Sequence, residues 1–252
     1  MAFWRRDRED RFIRGGVDCW VRALRPALVV GSPTRYRYLM SAETTHEIKE
    51  RFDANIGRVR ALIASQGHVP NGAYGHPPAI RADIREEMLR AAVVLLHAAL
   101  EDLLRSIEEQ WWPTASADAY EAIRFTAPGG DARSKKDKFT LKDLASWRSR
   151  SVDDVFSVAI EAHLAQSNYN NVADVKAILN RTGLQAGWVD QDGGPLSSLM
   201  TRRHRIAHRA DRNFAGRGHA SEPIAHGTVV AWADVVEAFG RRVLAELGGG
   251  KP

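Results

Sequence analysis

Residues 201–212, TRRHRIAHRADR, bring together five arginines and two histidines, the side chains best suited to proton transfer and phosphate binding. Histidine titrates at about pH 6.5 and can therefore serve as a general acid or a general base. Arginine keeps its charge and holds two phosphate oxygens at once. Because RNA carries its own nucleophile in the 2′-hydroxyl, this set can cleave a phosphodiester without a metal ion or a covalent intermediate.

The apolar residues around this run recur at helical spacing and define one stripe of an amphipathic helix, formed by Leu196, Leu199, Met200, Ile206 and Ala207. Arg203 falls within that stripe. An arginine that faces the core cannot lose its charge, so it needs an anion, either a carboxylate of the protein or a phosphate of a ligand. His204 and His208 fall together on one edge of the stripe, one helical turn apart.

These positions assign roles within the run. Arg203 is expected to stabilise the charge on the reacting phosphate, and His208 and His204 are the candidates for proton transfer. The remaining arginines are predicted to face solvent and bind the RNA backbone, namely Arg202, Arg205, Arg209 and Arg212. The competing interpretation of that face is an ordinary solvated surface.

A long helix predicted over 80–111 offers partners for Arg203. Its polar residues at spacings of seven, four and seven form one edge beside a leucine stripe, Arg90, His97, Glu101 and Glu108. We expect Glu101 or Asp102 to hold Arg203 in place, with His97 in support. The alternatives are a solvent-exposed glutamate at 101 and a purely structural histidine at 97.

The rest of the chain indicates an all-α fold, a helical bundle with long connecting loops. Apolar spacings and capping residues predict helices over 45–66, 80–111, 151–166, 172–182, from Pro195 onward, and 228–247. Ser151 with Asp153 and Asp154 should open the third of these, and Gly183 should close the fourth. Polar, turn-rich loops are predicted over 67–78 and 125–139.

Charge divides the 252 residues into two parts. Residues 1–39 hold nine arginines against four acids, whereas the basic and acidic residues of 40–252 balance. We therefore predict a basic N-terminal extension over 1–39, either a disordered arm or a segment ahead of a true start at Met40, and one domain over 40–252. The single cysteine excludes a disulfide framework. No membrane-spanning run or signal peptide is evident, so the cytoplasm is the expected location.

The segment RRHRIAHRADR resembles the R-x4-6-H motif of HEPN-domain proteins, with Arg203 and His208 as the motif residues and His204 at the position that is often polar. The resemblance to the RiboL-PSP-HEPN group extends over roughly 45–247, through AAVVLLHAALEDLLRSI, YNNVADVKAILNRTGLQAGW and GTVVAWADVVEAFGRRV. It implies a dimerising HEPN-like helical bundle and a metal-independent endoribonuclease of toxin–antitoxin, phage-defence or RNA-processing systems.

Partners and alternatives follow from the same residues. Arg203 and His208 lie about 140° apart on an ideal helix, so joint action on one phosphate favours a homodimer that brings two motifs together. Besides RNA, an antitoxin or defence-system partner is expected, and no cofactor.

Two other hypotheses stay open. One is a non-catalytic HEPN module that binds nucleotides or partners. The other is a metallohydrolase, because His204 and His208 have helical metal-ligand spacing.

Overall fold

The structure, a computed structural model, describes residues 42–68, 78–123, 141–145, 147–213 and 221–249. Within these ranges the chain is helical and forms no β-strand, which confirms the all-α prediction. The α-helices are α1 (Ala42–Gln66), α2 (Pro78–Trp111), α3 (Leu141–Ala145), α4 (Val152–Gln166), α5 (Val172–Arg181), α6 (Val189–Arg209) and α7 (His226–Leu247). Two 3-10 helices, Trp112–Thr114 and Ala117–Ala122, follow α2.

Helix α2 lies at the centre of the bundle, where it packs against α1, α6 and α7. Its predicted leucine stripe is buried, with Leu96, Leu100 and Leu104 fully inaccessible to solvent. Helices α1 and α7 approach each other so closely that a Cβ added to Gly240 would overlap the Phe52 ring. This core fixes the face of α2 that is available to the motif helix α6.

Local signals place several helix ends where the sequence predicts them. The side chain of Ser151 accepts a hydrogen bond from the Asp154 amide, and the Asp154 carboxylate accepts one from the Ser151 amide, forming a capping box at the start of α4. Gly183, with φ of 76°, follows α5 in the left-handed conformation that glycine adopts without strain. Both predictions are confirmed.

The start of α6 differs from its prediction. Pro195 does not open the helix, which begins at Val189, so the proline lies inside it. A proline there removes one backbone hydrogen bond. Val189 is fully buried and Trp188 nearly so, and their packing extends the helix across the proline.

Other parts of the sequence prediction lie outside the described residues. These are the extension 1–39, the loop 125–139, and the loop 67–78 apart from its ends. Among the described helices, none has the length and apolar character that crossing a membrane requires.

Candidate active site

Arg203 lies half-buried between α6, α2 and the segment that precedes α5. Its Nη1 donates a hydrogen bond to the Oδ1 atom of Asn170 at 3.3 Å, and its Nη2 is 3.9 Å from the Oε2 atom of Glu101. The longer distance is an ion pair at the limit of direct contact. Because the Arg203 side chain remains 21% exposed, it can also reach a ligand. Asn170 is a partner that the sequence analysis did not identify.

Glu101 and Asp102, the two acids proposed for Arg203, point in different directions. Asp102 faces α1, where its Oδ2 atom accepts hydrogen bonds from Arg51 at 2.9 Å and Asn55 at 3.3 Å. Adjacent residues of a helix differ by about 100° in direction, so only one of the two acids can face α6. The expectation that Asp102 could hold Arg203 is therefore wrong, and Glu101 is the carboxylate beside it.

His97 lies one turn before Glu101 on α2 and is completely buried. Its Nδ1 atom is 3.6 Å from the Oε1 atom of Glu101, which is longer than a hydrogen bond. Burial lowers the pKa of His97 below its ordinary value, the Glu101 charge opposes this, and the Arg203 charge adds to it. His97 is thus a neutral imidazole behind Glu101 at neutral pH, and it has no direct route to solvent.

His204 and His208 lie about 100° and 140° around an ideal helix from Arg203, and both are exposed. Their ring centroids are 4.7 Å apart, with an angle of 47° between the ring planes. The two rings are therefore neighbours on the surface, as their spacing predicts. Arg203 and His208 are separated by about 7.5 Å along an ideal helix axis as well as by rotation. One chain therefore presents the histidine pair and the arginine on different sides of one helix.

Arg202 was predicted to face solvent, and the structure corrects this. Its side chain is 9% exposed, and its Nη2 atom donates to the Oδ2 atom of Asp211 at 2.7 Å. The same nitrogen contacts the carbonyl oxygens of Glu222 and Pro223 at 2.7 and 3.1 Å. The buried face of α6 is wider than its apolar residues indicate, because Asp211 supplies an anion that allows an arginine to be buried there.

Asp211 reaches Arg202 through a left-handed turn at the end of α6. Ala210 and Asp211 have φ values of 47° and 52°, and the Asp211 amide donates to the Arg205 carbonyl at 3.1 Å. The Oδ2 atom of Asp211 also accepts from Nε of Arg90 on α2 at 2.9 Å. We call Asp211, Arg90 and Arg202 the Asp211 cluster. It fixes the end of the motif helix to the central helix of the bundle.

Three of the four residues of the polar edge predicted on α2 are buried. Arg90, His97 and Glu108 are each at most 5% exposed. Glu108 accepts a hydrogen bond from the Tyr169 hydroxyl at 2.7 Å and lies 3.3 Å from Nη2 of Arg181. Burial, followed by the bond to Glu108, raises the pKa of Tyr169 above its ordinary range. These contacts position the segment that carries Asn170.

The other arginines of the run differ in environment. Arg205 is 36% exposed, and its Nη1 atom pairs with the Oε2 atom of Glu222 at 3.1 Å. Arg209 and Arg212 are exposed at and just after the end of α6. Of the four arginines predicted to face solvent, Arg202 is therefore buried, Arg205 is partly exposed, and Arg209 and Arg212 are exposed as predicted.

Metal ligation by a larger cluster has no support within the described ranges, where no three histidine, cysteine or acidic side chains come together. His226, at the start of α7, is exposed, and His219 lies outside the described residues. His204 and His208 are thus two potential ligands without a third among the described residues.

No protein-family model, curated protein sequence or solved structure matches this chain.

Proposed function

We propose that this chain is a metal-independent endoribonuclease that cleaves RNA by attack of a 2′-hydroxyl on the adjacent phosphate. The products are a 2′,3′-cyclic phosphate and a 5′-hydroxyl. The observation that carries the proposal is Arg203, a partly exposed guanidinium held beside Glu101 and Asn170 on the helix that presents His204 and His208 to solvent. Such an arginine is pre-oriented for a phosphate oxygen.

Each proposed step has a group to perform it. A neutral histidine takes the proton of the 2′-hydroxyl as the oxygen–phosphorus bond forms, and a protonated histidine gives a proton to the departing 5′-oxygen. Arg203 stabilises the negative charge that accumulates on the phosphate. His208 is the principal candidate for proton transfer, with His204 beside it. In this proposal the exposed Arg209 and Arg212 bind the RNA backbone.

We further propose that the active unit is a homodimer, since Arg203 and His208 point to different sides of α6. Helix α2 offers a seam for a second copy: apolar side chains at steps of four and three on its outer face, Ile84, Met88, Ala91, Leu95 and Ala98. Ile84 is 38% exposed and Leu95 is 47% exposed. This spacing is typical of helices that pack along a shared stripe. Glu101 continues α2 beyond the stripe, so a partner seated there would lie near Arg203.

The biological setting belongs to the same proposal. A ribonuclease of this kind, acting as a toxin or phage-defence effector in the cytoplasm, requires an antitoxin or a defence-system partner that restrains it. The support is the motif resemblance at Arg203 and His208. The alternative is a non-catalytic module that binds nucleotides or a partner, and it predicts that the chain cleaves no RNA.

The experiment is an RNA-cleavage assay in excess chelator with the wild type, Arg203→Ala, His208→Ala and the matched control His226→Ala. We expect the first two substitutions to lower the rate by on the order of 100-fold or more. The control replaces an exposed histidine outside the motif and should retain the wild-type rate. Circular dichroism checks that each variant is folded. Full activity in both motif variants would refute the assignment.

Dimerisation has its own test. Arg203→Ala and His208→Ala chains, each inactive alone, should recover part of the activity when coexpressed if each site uses both copies. A fully active monomer, measured by light scattering at assay concentration, would contradict the composite site.

A further inference from the structure

The His204–His208 pair has a geometry that suits a ligand other than RNA. Both side chains are exposed on a regular helix, four residues apart, with ring centroids separated by 4.7 Å. Among the described residues, no side chain hydrogen-bonds to either ring. Two neutral imidazoles one helical turn apart can bind one metal ion together, at metal–nitrogen distances of about 2.0–2.1 Å.

We propose that His204 and His208 chelate one divalent transition-metal ion of the zinc, nickel and copper class, and that the bound ion inhibits the site. The proposed inhibition rests on the proposed ribonuclease function, whereas the proposed metal binding does not. A bound ion occupies the nitrogen lone pair that His208 needs in order to accept a proton. Inhibition is the opposite of what a metal-dependent hydrolase would show.

The surrounding charges permit a cation at this position in spite of the nearby arginines. Arg205 is paired with Glu222 at 3.1 Å, Arg203 lies beside Glu101, and Arg202 is neutralised by Asp211 at 2.7 Å. Three arginines of the run are therefore balanced by carboxylates, and Arg209, which follows His208 directly, adds positive charge beside the pair. The positive charge that remains favours an ion that gains bond energy from nitrogen ligands over one bound by charge alone.

The pair is also held in place before any ion arrives. His208 is the residue before the last one of α6, a position at which an unrestrained helix frays. Here the Asp211 cluster fixes the turn that follows, with hydrogen bonds of 2.7 and 2.9 Å to two arginines. Holding both rings on a fixed helix lowers the entropy lost on chelation.

Ligand chemistry predicts the selectivity. Imidazole nitrogen suits Cu²⁺, Ni²⁺ and Zn²⁺, with Cu²⁺ the tightest, whereas Mg²⁺ and Ca²⁺ require oxygen ligands. A catalytic zinc centre generally uses three protein ligands, and no third lies with this pair among the described residues. The site should therefore bind an ion reversibly, and the bound ion should not take over the proton transfers assigned to the histidines.

Binding is tested by isothermal titration of the full chain with NiCl2 or ZnCl2 at pH 7.5, without RNA. His204→Ala and His208→Ala should each weaken binding by about tenfold or more, because a single imidazole binds the ion without the second imidazole held beside it at high effective concentration. The control His226→Ala should bind as the wild type does, and MgCl2 should give no binding. Unchanged affinity in His204→Ala, or equal loss in the control, would overturn the site.

Inhibition is tested on the wild-type enzyme with its RNA substrate. Zn²⁺ at the concentration that saturates the site should stop cleavage, an added chelator should restore it, and Mg²⁺ should do neither. If Zn²⁺ saturates the site and cleavage is unchanged or faster, the inhibitory role is wrong. If the histidine-dependent binding is present but the chain cleaves no RNA with or without chelator, the proposed function fails while the metal site stands.

Discussion

Replacing Asp211 by asparagine tests how strongly the buried ion pairs stabilise this fold. Asparagine keeps the size of the side chain and one acceptor oxygen but removes the charge that neutralises Arg90 and Arg202. Asp211 is 1% exposed, so water cannot replace the lost carboxylate. Breaking a buried pair by removing one partner costs about 3–5 kcal/mol, because a charge is left uncompensated.

The local contacts refine this magnitude. Arg90 would keep Glu86 at 2.9 Å and Glu87 at 3.1 Å, whose side chains are 38% and 66% exposed. Among the described residues, Arg202 would keep Glu222 at 3.8 Å and two carbonyl oxygens. Most of the penalty should therefore fall on Arg202, and we expect a loss near the lower limit, about 3 kcal/mol.

Urea unfolding, followed by circular dichroism, measures this loss as a fall in midpoint at constant slope. For a domain of this size the melting temperature should drop by roughly 6–12 °C. The matched control is Asp234→Asn, which breaks the pair between Arg60 and an aspartate that is 61% exposed. That change should cost less than about 1 kcal/mol. A loss at Asp211 no larger than at Asp234 would refute the reasoning.

Three further substitutions test other features. Gly240→Ala should destabilise the fold by about 1–3 kcal/mol, because the added Cβ overlaps the Phe52 ring. The control Gly227→Ala places its Cβ in open space and should not destabilise the fold, and urea unfolding compares the two variants. Burial lowers the pKa of His97 in the folded protein, so as the pH falls the unfolded chain binds a proton at this histidine before the folded protein does. The free energy of unfolding should therefore decrease below about pH 6.5. His97→Gln should reduce this decrease in urea unfolding measured from pH 7.5 to 5. Leu95→Glu should convert a dimer to monomers in light scattering with unchanged helicity, because dimerisation would bury an unpaired charge, and a dimer that persists would exclude the α2 seam.

The sequence predicts the helices because their signals are local. Apolar residues three and four apart mark the core stripe of α2, and a serine followed by an aspartate three residues later marks the start of α4. Pro195 shows the limit of such signals. Proline is common in the first turn of a helix, but the buried Trp188 and Val189 extend α6 in front of Pro195, and that packing depends on distant parts of the chain.

The candidate site is predictable in its composition and less so in its contacts. The exposed histidine edge of α6 follows from helical periodicity alone. The choice between Glu101 and Asp102 depends on the rotation of α2 against α6, which periodicity does not resolve. The burial of Arg202 is harder still to predict. Its partner Asp211 reaches it only because Ala210 and Asp211 adopt left-handed backbone conformations, which residues other than glycine rarely do. One signal was available: Arg90 borders the leucine stripe of α2 and therefore also required an anion.

The burial of Arg202 has a consequence for measurements of nucleic-acid affinity. Each phosphate neutralised on a single strand contributes about −0.7 to the slope of log affinity against log salt concentration. Arg202 is already paired with Asp211 at 2.7 Å inside the fold, so it can neutralise no phosphate and displace no cation from a bound strand. If the proposed RNA binding is correct, the slope of a salt titration should therefore contain no contribution from Arg202. Neutralising Arg202 should leave that slope unchanged while lowering the fraction of molecules that are folded.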